Sequence, residues 1–84
     1  MEAERVERAR VDRRAISAEL REIGARLRLS GENPFRARAY QAGAEAVDNL
    51  SDAQLARRLA AGTLTEVPGI GAALAAVIAE IAER

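Results

Sequence analysis

The residues best placed for chemistry lie in a glycine-rich bend, Val67-Pro68-Gly69-Ile70-Gly71, between two helical patterns. Pro68 ends the first pattern, because its ring and missing N–H forbid continuation. Gly69 and Gly71 are expected to adopt backbone conformations closed to other residues and to keep side chains away from a ligand. Ile70 is expected to point back and pin the bend to the core. The amides of Gly69, Ile70, Gly71 and Ala72 then lack internal partners and face outward. Such a cluster at the positive end of a helix suits a phosphate oxygen. The competing reading is an ordinary helical turn containing Pro and Gly.

Other reactive groups are scarce. The chain has no cysteine and no histidine. Disulfides, thiolate metal sites and the commonest general base are therefore excluded. The carboxylates are dispersed among arginines at helix-surface spacing, which is the pattern of solvated charge rather than of an acid/base pair.

The elements that must position the bend read as helices throughout, so the fold class is all-α, a small bundle of four to five short helices. Asp12 is an N-cap, with Val11 and Ile16 at the hydrophobic staple positions. A helix over 13–29 follows, with Ile16, Leu20, Ile23 and Leu27 on one face. Gly31 suits the left-handed position after its end. Asn33-Pro34 opens the next helix, which runs to about Leu50 with Phe35, Ala39, Ala42, Ala46 and Leu50 as its buried stripe. Gly43, at the edge of that stripe, would let a neighbouring backbone approach. Ser51 with Gln54 is a capping box for a helix over 52–61 that Gly62 ends. Thr63 with Glu66 reads as a second box, opening a turn at 64–67. The last helix covers 71–83.

At 84 residues the chain allows one domain. Residues 1–11 read as a charged tail or frayed helix, and residues 12–84 as the domain. Apolar residues make up 49% of the chain, much of it alanine, with one Phe and one Tyr. That composition suits closely packed helices. Net charge is zero, but unevenly spread. Residues 1–40 carry ten arginines against seven carboxylates, and residues 41–84 carry three against six. No segment has the length and apolarity of a membrane span or a signal peptide, so a cytoplasmic location is expected.

Leu64-Thr65-Glu66-Val67-Pro68-Gly69-Ile70-Gly71 and the helix after it resemble the helix-hairpin-helix family of DNA-binding motifs. Gly31-Glu32-Asn33-Pro34-Phe35-Arg36-Ala37-Arg38-Ala39-Tyr40, together with the hairpin, extends the resemblance to residues 12–84. Over that span the chain resembles the N-terminal domain of family X DNA polymerases of bacterial type, with a fold like that domain of DNA polymerase beta. The resemblance implies sequence-nonspecific binding of DNA backbone, in gapped or 5′-phosphorylated DNA, during repair. It implies a phosphate held by Gly69, Ile70, Gly71 and Ala72, with Arg36, Tyr40 and Arg38 around the 5′-phosphate. It also implies a monovalent cation, sodium or potassium, on the backbone carbonyls of Thr65, Val67 and Ile70. The alternative for Arg36 is a solvated rim charge, and for Tyr40 a half-buried core residue. The position of the family's imine-forming lysine falls on Val77, and a second basic position on Ala73. All thirteen basic residues are arginine, which leaves only the N-terminal amine to form an imine. Lyase activity is therefore not expected of this chain.

Two features oppose the DNA reading. The last helix begins Gly71-Ala72-Ala73-Leu74-Ala75-Ala76 with no basic residue, so binding by the domain alone should be weak. Its nearly all-round apolarity points to a covered surface: a partner, a second copy or a neighbouring polymerase domain. Arg14, Arg21 and Arg28 recur every seven residues, directly opposite the core face, and read as solvated surface. The alternative function is a protein-interaction or dimerisation domain in which the hairpin is only structural.

Overall fold

The computed structural model describes residues 11–31 and 33–84. The charged segment 1–10 and Glu32 lie outside the described residues, and with them most of the expected tail. Four α-helices and one 3-10 turn make up the described chain: α1 (Arg13–Leu29), α2 (Pro34–Asp48), α3 (Asp52–Ala61), the turn (Leu64–Glu66) and α4 (Ala72–Glu83). There is no strand among the described residues.

Local chemistry sets the helix ends. The Asp12 carboxylate accepts from the amides of Arg14 and Ala15, worth about 1 kcal/mol as a cap. Gly31 follows α1 with φ +71°, the left-handed geometry that a side chain would oppose. Asn33 caps α2 ahead of Pro34. Ser51 and Gln54 form both halves of the expected capping box. The second expected box is absent: Thr63 makes no side-chain cap, and Glu66 instead pairs with Arg58 at 3.3 Å. The segment 64–66 is a 3-10 turn whose end is set by Val67 N–H donating to the Leu64 carbonyl.

One core joins every element. Ile16 and Leu20 come from α1, Tyr40, Ala44 and Val47 from α2, Leu55 from α3, Leu64 and Ile70 from the bend, and Leu74 and Ile78 from α4. Each fully buried Leu or Ile contributes about 2 kcal/mol of transfer free energy. Ile23 and Leu27 pack against this core half-buried, so the α1 face is as its spacing predicts.

The α2 face is not. Its buried residues are Ala37, Tyr40, Gly43, Ala44 and Val47, roughly a third of a turn from the expected stripe. Phe35 is 74% exposed, and Ala39 and Ala42 are exposed. Close helix approach decides this. A Cβ on Gly24 of α1 would lie 3.3 Å from both the Ala37 carbonyl oxygen and the Tyr40 Cβ, so α1 rests on that side of α2 where only glycine fits comfortably.

The same approach corrects the reading of the arginines. Ser17 and Gly24 are buried, which widens the covered face of α1 toward Arg21 and Arg28. Those two side chains flank the α1–α2 seam instead of standing opposite the core. Arg21 pairs with Asp48 at 2.6 Å and bonds Ser17, while Arg28 donates to the Gln41 side chain at 2.9 Å.

Candidate nucleic-acid interface

The bend is a four-residue turn with a proline and a glycine in the middle. Ile70 N–H donates to the Val67 carbonyl at 3.1 Å. Pro68 fixes the first central position, and Gly69 takes the second at φ +94°, the positive φ that such a turn requires of a glycine. Gly69 also has a packing role: a Cβ there would lie 3.3 Å from the Ala42 carbonyl oxygen and 3.5 Å from the Ala46 Cβ. The bend therefore sits on the second half of α2. Ile70 is 3% exposed and anchors the bend in the core, as expected.

The site amides divide accordingly. The Ile70 amide is spent inside the turn, which corrects its assignment as a phosphate donor. The first bond of α4 runs from Ala75 N–H to the Gly71 carbonyl at 2.9 Å. Among the described residues no acceptor meets the amides of Gly69, Gly71, Ala72, Ala73 or Leu74, and no side chain caps α4. Gly71, Ala72 and Ala73 are exposed. Uncapped amides at an exposed N-terminus concentrate positive potential where an oxyanion can approach.

Gly71 is not where it is for conformational reasons. Its φ of −85° and ψ of 176° are open to any residue, contrary to the expectation from its type. A Cβ there would meet nothing within 4 Å. Its effect is to leave the approach to the α4 amides unobstructed.

The side chains expected around the phosphate are distributed along α2. Arg36 is exposed and stands seven residues before Gly43, two turns earlier on the same side. Leu74 of α4 lies on Gly43, where a Cβ would fall 1.9 Å from Leu74 Cδ2; it is a side chain, not a backbone, that needs this glycine. Arg38 is exposed, one turn before Ala42, with its guanidinium 6.0 Å from the Phe35 ring centroid. Both arginines thus ride on the helix that carries the bend. Tyr40 departs from the expected pocket: it is 8% exposed and part of the core, with its Cβ beside Gly24. No protein group bonds its hydroxyl, and no buried polar side-chain atom among the described residues lacks a partner, so that oxygen reaches water.

The carbonyls of Thr65 and Ile70 receive no backbone hydrogen bond, while that of Val67 accepts the turn bond. Oxygen-only donors of this kind fit a hard, weakly held cation. Among the described residues no group of His, Cys, Asp and Glu side chains could hold a metal ion. Val77 is half-buried and Ala73 exposed on α4. The exposed side of α4 presents Ala72, Ala73 and Ala76, then Glu80 and Glu83. Leu74 and Ile78 face the core, and Ala75, Val77, Ile81 and Ala82 pack against it half-buried. No helix of the described residues is long and apolar enough to cross a membrane.

The sequence model of a family described as a helix-hairpin-helix domain matches residues 12–84. No curated protein and no solved structure matches the chain.

Proposed function

The chain belongs to the helix-hairpin-helix domain family, whose members generally bind DNA without reading its sequence, and from that membership we propose that this domain holds a DNA phosphate on the α4 amides. The observation that carries the proposal is the bend itself. The amides of Gly71, Ala72 and Ala73 are uncapped and exposed, with no Cβ on Gly71 to screen them. Contacts of this kind grip backbone and carry no base information.

The preferred form of DNA is gapped or recessed with a 5′-phosphate, in the manner of the N-terminal domain of a family X repair polymerase. Support comes from the Gly31–Tyr40 string and from Arg36, an exposed guanidinium able to clasp a terminal phosphate with two parallel bonds. The carbonyls of Thr65, Val67 and Ile70 would hold a sodium or potassium ion that adds positive charge beside the phosphate. The chain supplies no lysine for imine chemistry, so its role is binding and not lyase catalysis.

Titration with gapped DNA carrying or lacking a 5′-phosphate, at several salt concentrations, tests this. Binding should be weak, stronger with the phosphate, and steeply salt-sensitive. Gly71→Val should lower affinity about tenfold or more while changing stability by no more than about 0.5 kcal/mol, since a Cβ there has no protein atom within 4 Å. Unchanged affinity in a folded Gly71→Val protein would refute the hairpin contact. It would favour a protein-interaction domain, with the alanine face of α4 as the surface to examine.

A further inference from the structure

The large apolar side chains that the fold leaves in solvent are Leu29, 88% exposed at the end of α1, and Phe35, 74% exposed at the start of α2. Isolated exposed apolar residues are ordinary, but two that flank one connection call for an explanation. The Arg38 guanidinium lies 6.0 Å from the Phe35 ring centroid. Arg38 shares a cleft with Arg28. Among the described residues no carboxylate pairs with either, whereas Arg13, Arg21, Arg26, Arg58 and Arg84 are all paired. The tip is therefore an exposed ring with uncompensated positive charge beside it.

A matching hollow lies elsewhere on the same chain. Leu59 of α3, Leu64 of the 3-10 turn and Ala75, Ala76 and Ala79 of α4 line a groove of about 210 Å³. An apolar cavity of roughly 150 Å³ accepts a benzene ring, so the groove has room for one aromatic side chain. Arg58 also borders it, but its charge is met by Glu66. Glu80 and Glu83 stand four residues after Ala76 and Ala79, so each lies one turn further along the same side of α4. Both are exposed, and no arginine among the described residues pairs with either. One turn is about 5.4 Å, close to the 6.0 Å between ring and guanidinium at the tip. Ring against groove and guanidinium against carboxylates can thus be satisfied together.

We infer that the domain associates head to tail with a second copy of itself: the Phe35 ring of one copy seats in the α3–α4 groove of the next, and Arg38 pairs with that copy's Glu80 and Glu83. One chain cannot make this contact internally, because α3 starts at the opposite end of α2, roughly 20 Å along the axis from Phe35. The occupant is a second copy because this chain carries both halves in complementary form. Its charge is divided in the same sense, with ten arginines to seven carboxylates before residue 41 and three to six after it. The contact joins two different surfaces, so it does not close on itself and adds copies in a row. A single ring and a few charges make a small contact, weak and screened by salt. The inference goes beyond the DNA reading and does not depend on it. Arg36 lies about 160° round α2 from Arg38, and the residues of the bend do not line the groove.

Sedimentation velocity of the purified chain at low salt, over rising protein concentration, tests this. The sedimentation coefficient should climb without levelling at a dimer, and added salt should lower it. Phe35→Ala and Ala76→Arg, both at exposed positions, should each fold and each lose affinity by about thirtyfold, the scale of a central aromatic anchor. Mixed in equal amounts, they should form a dimer that grows no further, because one supplies an intact groove and the other an intact tip. Arg38→Glu and Glu80→Arg should each weaken association about tenfold, and mixing the two should recover it. A wild-type chain that stays monomeric at every concentration would overturn the inference. So would association that levels at a dimer, or that survives in folded Phe35→Ala, or folded variants that fail to complement one another. None of these results bears on the phosphate contact at the bend, which Gly71→Val tests separately.

Discussion

The glycine bend and the α1–α2 tip present opposite kinds of positive group to solvent. The bend has no charged side chain: Gly69, Gly71, Ala72 and Ala73 offer only peptide amides, aimed by a proline, a positive φ and a buried isoleucine. The tip has Arg28, Arg36 and Arg38 and an exposed ring, on side chains whose conformations the fold fixes only loosely. Peptide donors are pre-organised and geometrically selective, since they lose little freedom on binding. Guanidiniums on long stems act over distance, at the cost of side-chain entropy and strong screening by salt. A domain with zero net charge gains both only by segregating them. Under the proposed function the bend would specify where a phosphate sits, and the arginines of the tip would add long-range attraction around it.

The sharpest way to break this contrast is at Gly69. Its φ of +94° and the 3.3 Å approach to the Ala42 carbonyl oxygen make Gly69→Val a structural lesion. It should cost about 2–3 kcal/mol, read as a fall in the denaturation midpoint, and remove DNA binding together with the fold of the bend. Gly71, two residues on, separates function from fold, so the pair Gly69→Val and Gly71→Val should diverge in stability while converging in loss of affinity. Similar stability in the two variants would mean the bend is not anchored as described.

Gly31 tests the tip. It has φ +71° but open space around it, so Gly31→Ala should cost only about 1 kcal/mol of backbone strain. DNA binding should stay unchanged, because nothing lies within 4 Å of the new Cβ and the bend is carried by the other end of α2. A loss of binding in folded Gly31→Ala would show that the tip and the bend are one contact.

The smallest effect concerns the arginines excluded from the tip. The Arg21 guanidinium, with help from the Ser17 hydroxyl, holds the Asp48 carboxyl below its ordinary value of 3.8. A depressed carboxylate contributes stability that is complete above the ordinary value and lost as pH falls through the lower folded one. Denaturation midpoints should therefore drop more steeply for wild type than for Asp48→Asn as the solution is acidified below 3.8. The pair is half-exposed, so the neutral-pH cost of Asp48→Asn should stay under about 1 kcal/mol. DNA binding should not change, because Arg21 is already committed to the α1–α2 seam. A clear change in affinity would extend the basic surface from the tip to Arg21.

What local chemistry controls was legible in the residues. Asp12, Asn33-Pro34, Ser51 with Gln54, and Gly31 and Gly62 each act within a turn of themselves, and the helices start and stop where those residues stand. The bend was legible for the same reason, since Pro68 and Gly69 dictate a turn whatever surrounds them. Thr63 with Glu66 failed as a box because Arg58, from a different turn, offered Glu66 an ion pair.

What the tertiary structure alone decided is which side of each helix is inside. On α2, alanines fall on opposite sides of the helix, Ala37 and Ala44 inside and Ala39 and Ala42 outside, and give transfer free energy too little contrast to choose a face. The choice fell to contact distance, at Gly24 against Ala37 and Tyr40 and at Gly43 under Leu74. That rotation put Tyr40 in the core, left Phe35 in solvent, and moved Arg21 and Arg28 to the seam. Periodicity weighs how apolar a residue is, whereas two helices pressed together select for how small it is, and no single helix carries that information.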